Sequence, residues 1–354
     1  MKKGYLALEN GKIFEGYFVT SNEKAAGEAV FTTGVVGYNN TLGDPCNIGQ
    51  IVVQTFPLIG ACGIIPGMND SKVYPSAYVT MEIVEDPSNH NCEGKLSDYL
   101  NNAGTCCLCG VDTREITRTL RDEGAMTAGI AETADEALAL AKAFKPSSKV
   151  GAAYEGEGIK EVKAKAPQHS VALINYGSVR DVAERLVDRR CNVTVFPYNT
   201  KASEILDGEF DGILLSDGPG NPADYVEQTE QIKALIGKKP IFACGLGHQL
   251  LALANGAKTA PVKTGHRGAN LPVRDLDGEK TYITSQNHGY TVLADTLPED
   301  KGTVSFVNAN DKDVEGITYT AHPSFSVQFI PQDNSAPADT SFVYDRFVSM
   351  LGNK

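Results

Sequence analysis

The residues best placed to do chemistry lie in IFACGLGHQLLAL, Ile241 to Leu253. A short apolar run there meets a glycine-rich turn, and a helix with leucines at 250, 251 and 253 begins near His248. A sharp strand-to-helix turn of this kind lifts one side chain out of a sheet into a cleft. It also aims helix N–H groups at whatever binds there. The residue at the apex therefore sets the chemistry, and the apex falls on Gly245, one position after Cys244. Successive side chains of a strand face opposite ways, so Cys244 is expected to point away from the cleft as a small buried thiol. Cys106, Cys107 and Cys109 raise the question of a metal. Adjacent cysteines with no second pair and no histidine nearby make a poor tetrahedral site. Small buried residues entering a strand account for them better, and no metal is expected.

Such a turn needs a sheet to carry it, and the chain is long enough for one. Its 354 residues suffice for two domains, each with its own core. A hydrophobic content of 42% and a charged content of 21% are those of a globular protein in water. The formal net charge of −12, without a basic patch, argues against nucleic acid or a membrane surface as partner. MKKGYLALENGKIFEG has no signal-peptide pattern, and no run of about 18 apolar residues occurs. Eight cysteines without a framework of evenly spread pairs suit a reducing compartment, so a cytoplasmic location is expected.

Residues 1–145 read as a mixed α/β domain. Tyr5–Leu8, a turn at Asn10-Gly11 and Lys12–Phe14 spell a β-hairpin, and Ala29–Thr32 and Gln50–Thr55 are further strands with a long structured loop between them. Helices are expected at Leu96–Asn102, at Thr113–Glu123 behind an Asp112 N-cap, and at Ala134–Phe144. Residues 146–168 are charged, glycine-containing and aperiodic, and read as a linker. From 169 to 354, strands and helices alternate, which predicts an open, mostly parallel α/β sheet covered on both faces, completed by a strand-rich last hundred residues. Ligands bind such sheets at the carboxyl ends of the strands. The loops at 175–181, 216–222 and 245–249 are thus expected to converge.

LLSDGPGNP, then GLGHQ, then SQNHGY, then FSVQF-x-P resemble in order the class I glutamine amidotransferase domain. FTTGVVGYNNTLGDP, GQIVVQTFPLIG, VDTREITRTLRDEGAM and GHRGANLPV resemble the small chain of carbamoyl-phosphate synthetase. The resemblance covers essentially the whole chain. It implies an N-terminal domain that docks a large synthetase subunit and a C-terminal domain descended from a glutaminase. In that family a Cys-His-Glu triad hydrolyses glutamine. The ammonia passes to the large subunit, where bicarbonate and ATP become carbamoyl phosphate. ATP and magnesium are accordingly expected only on that partner, with no cofactor in this chain.

Aligned on the family's G-I-C-L-G-H-Q, the nucleophile position is Gly245. Aligned on V-Q-F-H-P-E, the histidine has become Ile330 and the glutamate Gln332. Losing a triad nucleophile typically costs about 10⁶ in rate, roughly 8 kcal/mol of transition-state stabilisation. Glutaminase activity by the family mechanism is therefore expected to be absent. Cys244 is out of register as a substitute, and His322 in AHPSF sits at the wrong end of its strand, so it reads as a loop histidine without a role. By family position, glutamine would be held by Cys46 (a serine in the usual pattern), Gly218, Gly220, Leu246, Gln249, Asn287, Gly289 and Tyr290. Gly218 and Gly220 suit backbone N–H donors to a carbonyl or oxyanion, though a tight turn would use the same glycines. Asn287 and His288 also fit a solvated turn. The pattern is eroded elsewhere. D-F-G-x-K reads Asn175, Tyr176, Gly177, Ser178, Val179, and H-H-G-G-N-H reads His266, Arg267, Gly268, Ala269, Asn270, Leu271.

The expected protein is thus a small-subunit homologue that docks the synthetase through N-terminal blocks including Asp112, Thr113 and Arg114, for carbamoyl phosphate formation in arginine and pyrimidine biosynthesis. The alternative is a non-catalytic regulatory or scaffold protein, independent of the synthetase, that binds glutamine, a related small amino compound or another protein. A hydrolase using Cys244 is the least favoured of the three.

Overall fold

A computed structural model describes residues 2–65, 72–153, 158–177, 182–331 and 338–352. The chain divides into two compact units, the first comprising residues up to 147 together with 263–268, the second 148–262 and 269 onward.

The first unit is built on β1 (Lys2–Leu8), β2 (Ile13–Phe18), β3 (Ala25–Thr32), β4 (Gln50–Gln54), β5 (Leu58–Ile59), β6 (Ala77–Val79), β7 (Glu82–Ile83), β8 (Cys106–Cys109) and β9 (Met126–Ala131). Seven of these close into a barrel in the order β1-β2-β8-β6-β4-β3-β9, while β5 pairs with β7. Strand alternation fills the barrel with Leu6, Leu8, Phe14, Ile51 and Val53. The same alternation separates the cysteines. Cys106 lies in that cluster, whereas Cys107 faces a second cluster with Tyr78, Leu96 and Leu100. Burial pushes the Cys106 thiol up to about 12.

Among the described residues, α1 (Tyr38–Leu42), α2 (Leu96–Asn102), α3 (Thr113–Glu123) and α4 (Ala134–Ala143) accompany the barrel. Asp112 caps α3, its Oδ1 accepting from the Glu115 N–H at 2.9 Å, and Ile116 and Leu120 bury one face. The loop expected between β3 and β4 contains α1 and a 3₁₀ turn at Pro45–Asn47, capped by Asp44.

The second unit carries β10 (Lys160–Val162), β11 (His169–Asn175), β12 (Cys191–Pro197), β13 (Gly212–Leu215), β14 (Ile241–Cys244), β15 (Thr259–Asp275), β16 (Thr281–Val292), β17 (Gly302–Asn308), β18 (Val314–Tyr319) and β19 (Ser324–Val327). They form one sheet, ordered β10-β12-β11-β13-β14-β19-β18-β17-β15-β16. The five strands from β12 to β19 in that order are parallel, and β18, β17 and β15 extend the sheet antiparallel. Part of the segment read as linker is a sheet strand, since β10 pairs antiparallel with β12. Its three residues are too short and too polar to show a strand period.

Helices α5 (Val182–Val187), α6 (Ala202–Leu206), α7 (Val226–Leu235), α8 (Leu246–Ala254) and α9 (Phe342–Met350) cover both faces. Ile205, Ile232, Leu235, Leu250 and Leu251 pack with Ala243 on one face. Leu186, Val343, Tyr344 and Phe347 pack with Phe242 and Cys244 on the other. β14 is thus buried on both sides, which explains an apolar run without alternation. Phe242 stacks on Phe325 at 4.8 Å between ring centroids and meets Tyr344 edge-on at 5.7 Å. Phe242→Ala is expected to lower unfolding stability by about 3–5 kcal/mol. Urea denaturation followed by circular dichroism tests this, and a loss under about 1 kcal/mol would contradict the packing role of the ring.

Candidate functional site

Gly245 is the single residue between the end of β14 and the start of α8. Its φ of 54° and ψ of −120° form a backbone state that residues with a Cβ enter only under strain. Hydrogen bonds hold it there. The Gly245 N–H donates to the Val327 carbonyl at 3.0 Å, and the Gln249 N–H donates to the Gly245 carbonyl at 3.3 Å. Gly247 allows α8 to approach β13, its N–H reaching the Ser216 carbonyl at 3.0 Å. A Cβ at Gly247 would stand 2.5 Å from the Leu215 carbonyl oxygen. The chain therefore keeps the sharp elbow expected from its sequence, with no side chain at the apex.

Cys244 does not face that apex. It is buried on the α5 and α9 side of the sheet, and its S–H points to the Leu215 carbonyl at 3.8 Å. Burial, reinforced by the charge of Asp217, raises its pKa well above the ordinary thiol value. The nucleophilic thiolate is correspondingly disfavoured.

The loop after β13 supplies what stands at the apex instead. Asp217 Oδ1 accepts from the Gly218 N–H at 2.7 Å and from the Leu246 N–H, the first of α8, at 2.8 Å. A Cβ on Gly245 would overlap Asp217 Cγ and Oδ1 and would lie 2.6 Å from Oδ2. Sequence pattern alone does not mark Asp217 as a site residue. Its signal lay in Ser-Asp-Gly, an acidic side chain beside a glycine N–H, together with a helix whose N-cap residue, Gly245, has no side chain to cap it. That link across 29 residues becomes visible only once β13 and β14 pair.

The other candidate residues are partly brought together. Gln249 Nε2 donates to the Tyr290 carbonyl at 2.7 Å and to Gln328 Oε1 at 2.9 Å, so its amide is engaged within the fold. Asn287, His288, Gly289 and Tyr290 do not form a solvated turn; they lie within β16. His288 Nδ1 sits 2.8 Å from the Tyr290 carbonyl, and its Nε2 sits 3.1 Å from Gln286 Oε1 and 4.0 Å from the buried Glu315. Burial drives the Glu315 carboxyl well above the usual carboxylate range. Gly220, at φ 102°, turns the loop that follows Asp217, where the Tyr225 hydroxyl donates to the Pro219 carbonyl at 2.7 Å.

Ile330 pairs with β16, its N–H donating to the Ser285 carbonyl at 2.9 Å, and brings a hydrocarbon side chain. Cys46 belongs to the other compact unit, in the turn Pro45–Asn47, with its N–H on Asp44 Oδ1 at 3.0 Å. Gln332, Ser178 and Val179 lie outside the described residues. Asn175 accepts from the Gly177 N–H at 2.9 Å, and Arg267, in β15, donates to the Thr264 carbonyl at 2.8 Å.

His322 has a structural task that the sequence did not suggest. It is buried, lies 2.8 Å from Ser324 Oγ and 3.2 Å from Asn255 Oδ1, and stacks on Tyr319 at 5.4 Å. It thereby ties the end of α8 to the turn before β19.

Residues 6–130 match the family model described as carbamoyl-phosphate synthase small chain, CPSase domain, and residues 172–350 match that described as glutamine amidotransferase class-I. The carbamoyl phosphate synthase small chain of Clostridium acetobutylicum is 39% identical over 350 residues, covering 98% of this chain and 100% of that one. The chain belongs to the carbamoyl phosphate synthase small chain family. The small chain of Listeria monocytogenes serotype 4b is 38% identical over 357 residues, covering 100% of this chain and 98% of its own. A solved glutamine amidotransferase from Thermotoga maritima is 17% identical, with a TM-score of 0.40 over 51% of this chain and 81% of that one.

In this small chain the elbow is followed by a histidine, His248, that the fold keeps neutral. It is fully buried, with Nδ1 2.7 Å from Ser326 Oγ and, among the described residues, no hydrogen-bond partner for Nε2. Burial lowers its pKa from 6.5 to about 3. The unfolded chain takes up this proton near pH 6.5, whereas the folded chain resists until about pH 3. The contribution is therefore whole above pH 6.5 and is lost progressively as pH falls toward 3. His248→Asn should lower stability at pH 7 and flatten its decline on acidification. Urea midpoints at neutral and acidic pH measure this, and parallel declines in variant and wild type would exclude His248 as the source.

Proposed function

We propose that this carbamoyl phosphate synthase small chain docks a large synthetase subunit and does not itself hydrolyse glutamine, leaving the complex to draw on free ammonia. The observation that carries the reading is Gly245. An elbow with φ 54° and ψ −120° presents no nucleophile, and the next-door thiol of Cys244 is buried on the opposite face with its ionisation suppressed. Ile330, at the position of the family's proton carrier, offers no titratable atom, and Gln332, at the third position, carries no charge. Without attack by a nucleophile, the side-chain amide of glutamine has no route to the acyl-enzyme on which the family mechanism depends.

Docking is supported by the near full-length likeness to small chains and by the match of residues 6–130 to the small-chain domain. The large subunit would hold ATP and magnesium and would form carbamoyl phosphate for arginine and pyrimidine biosynthesis. A cytoplasmic setting fits the eight unbridged cysteines. Among the described residues no helix is long and apolar enough to cross a membrane.

The test is carbamoyl phosphate synthesis by the complex reconstituted with its large subunit, with ammonium chloride or glutamine as nitrogen donor. Ammonium should support synthesis, and glutamine should support it at least about 10³-fold less well. Equal use of both donors would overturn the loss of glutaminase activity. Failure to co-purify with any large subunit would overturn docking and leave a scaffold protein independent of the synthetase.

A further inference from the structure

Gly218 and Leu246 are two of the positions at which this family's pocket would hold glutamine, and their N–H groups converge here on a single oxygen atom. That oxygen is Asp217 Oδ1, at 2.7 and 2.8 Å. Two backbone donors aimed at one point are what a carbonyl or oxyanion requires. The carboxylate group also fills the volume next to Gly245 where an elbow side chain would project. The retained cradle is thus occupied from within.

We propose that Asp217 is the specificity-determining residue of this pocket, an internal ligand whose carboxylate takes the place of the glutamine amide and shuts that substrate out. The proposal rests on the reading of the site as a glutaminase descendant and adds to it a second, independent block. Loss of the triad would stop hydrolysis while leaving the binding subsite open. The Asp217 carboxylate closes the subsite by satisfying both donors and by placing negative charge where an amide oxygen must come. Glutamine has to displace it, and the apparent affinity falls by the fraction of chains in which the cradle stands empty. The alternative account makes Asp217 a cap for α8 and nothing more. A cap affects stability; it does not govern which small molecule enters.

The full-length chain tests this by titration calorimetry with L-glutamine. Asp217→Ala empties the cradle, and its affinity for L-glutamine should rise at least about tenfold over wild type. Asp217→Ser, which keeps a short acceptor for α8 while vacating the space beside Gly245, should show the same direction of change and guards against a variant that loses its fold. Affinities equal to wild type in folded variants would overturn the proposal. A second measurement needs no ligand. A thiol introduced by Gly245→Cys should react with iodoacetamide at least about tenfold faster when combined with Asp217→Ser than alone, because the neighbouring carboxylate crowds it and opposes its ionisation. Equal rates would also overturn the proposal. Hydrolysis of glutamine by the wild-type chain would instead refute the loss of catalysis, so the two failures are separable.

Discussion

The turn from β14 into α8 depends on one carboxylate. A helix begins with N–H groups that have no partner within it, and the usual remedy is an oxygen on the N-cap side chain. Gly245 cannot provide one. Asp217 provides it from the loop after β13, and in doing so it joins the carboxyl end of β13 to the start of α8 and fixes the loop through Gly218. Further contacts brace the same elbow. Gly247 lets the helix lie against β13, and Gln249, one turn on, reaches the Tyr290 carbonyl of β16 and Gln328 beyond β19.

Where a catalytic elbow carries its nucleophile, a side chain is held in a strained backbone state, and donors are left open for a charge that appears only during reaction. Both features work against stability in the resting protein. Here glycine relieves the backbone strain, and an internal carboxylate satisfies the donors. The two features act in the same direction. A half-buried acceptor of this kind is also demanding, since a carboxylate left with only part of its hydrogen bonds would be costly. The two short N–H contacts show that Asp217 is bound by the site rather than merely close to it.

Much of this was legible beforehand, for reasons tied to particular residues. The elbow could be read because an apolar run meets Gly-Leu-Gly, and the register of Cys244 followed from strand alternation alone. Asp112 announced α3 because a cap and its helix are adjacent in sequence. What could not be read depended on partners far apart along the chain. Lys160–Val162 is a strand only because β12 lies beside it. SQNHGY has the composition of a turn, yet its Tyr290 carbonyl is taken up by Gln249 and its His288 and Gln286 side chains by one another, within a continuous β16. His322 appeared idle for want of its partner Asn255, 67 residues away.

Asp217 belongs with these long-range cases, and it bears on what the proposed loss of the triad would mean. A triad can be lost by drift at three positions while the pocket remains a pocket. A carboxylate that accepts from both amide donors and stands in the space beside Gly245 goes further, because it occupies the room an elbow side chain would use. A nucleophile restored at position 245 would meet Asp217 before it met a substrate. Residues 217 and 245 are therefore physically coupled. A side chain at 245 requires the Asp217 carboxylate to turn aside, so the effects of substitutions at the two positions are expected not to add.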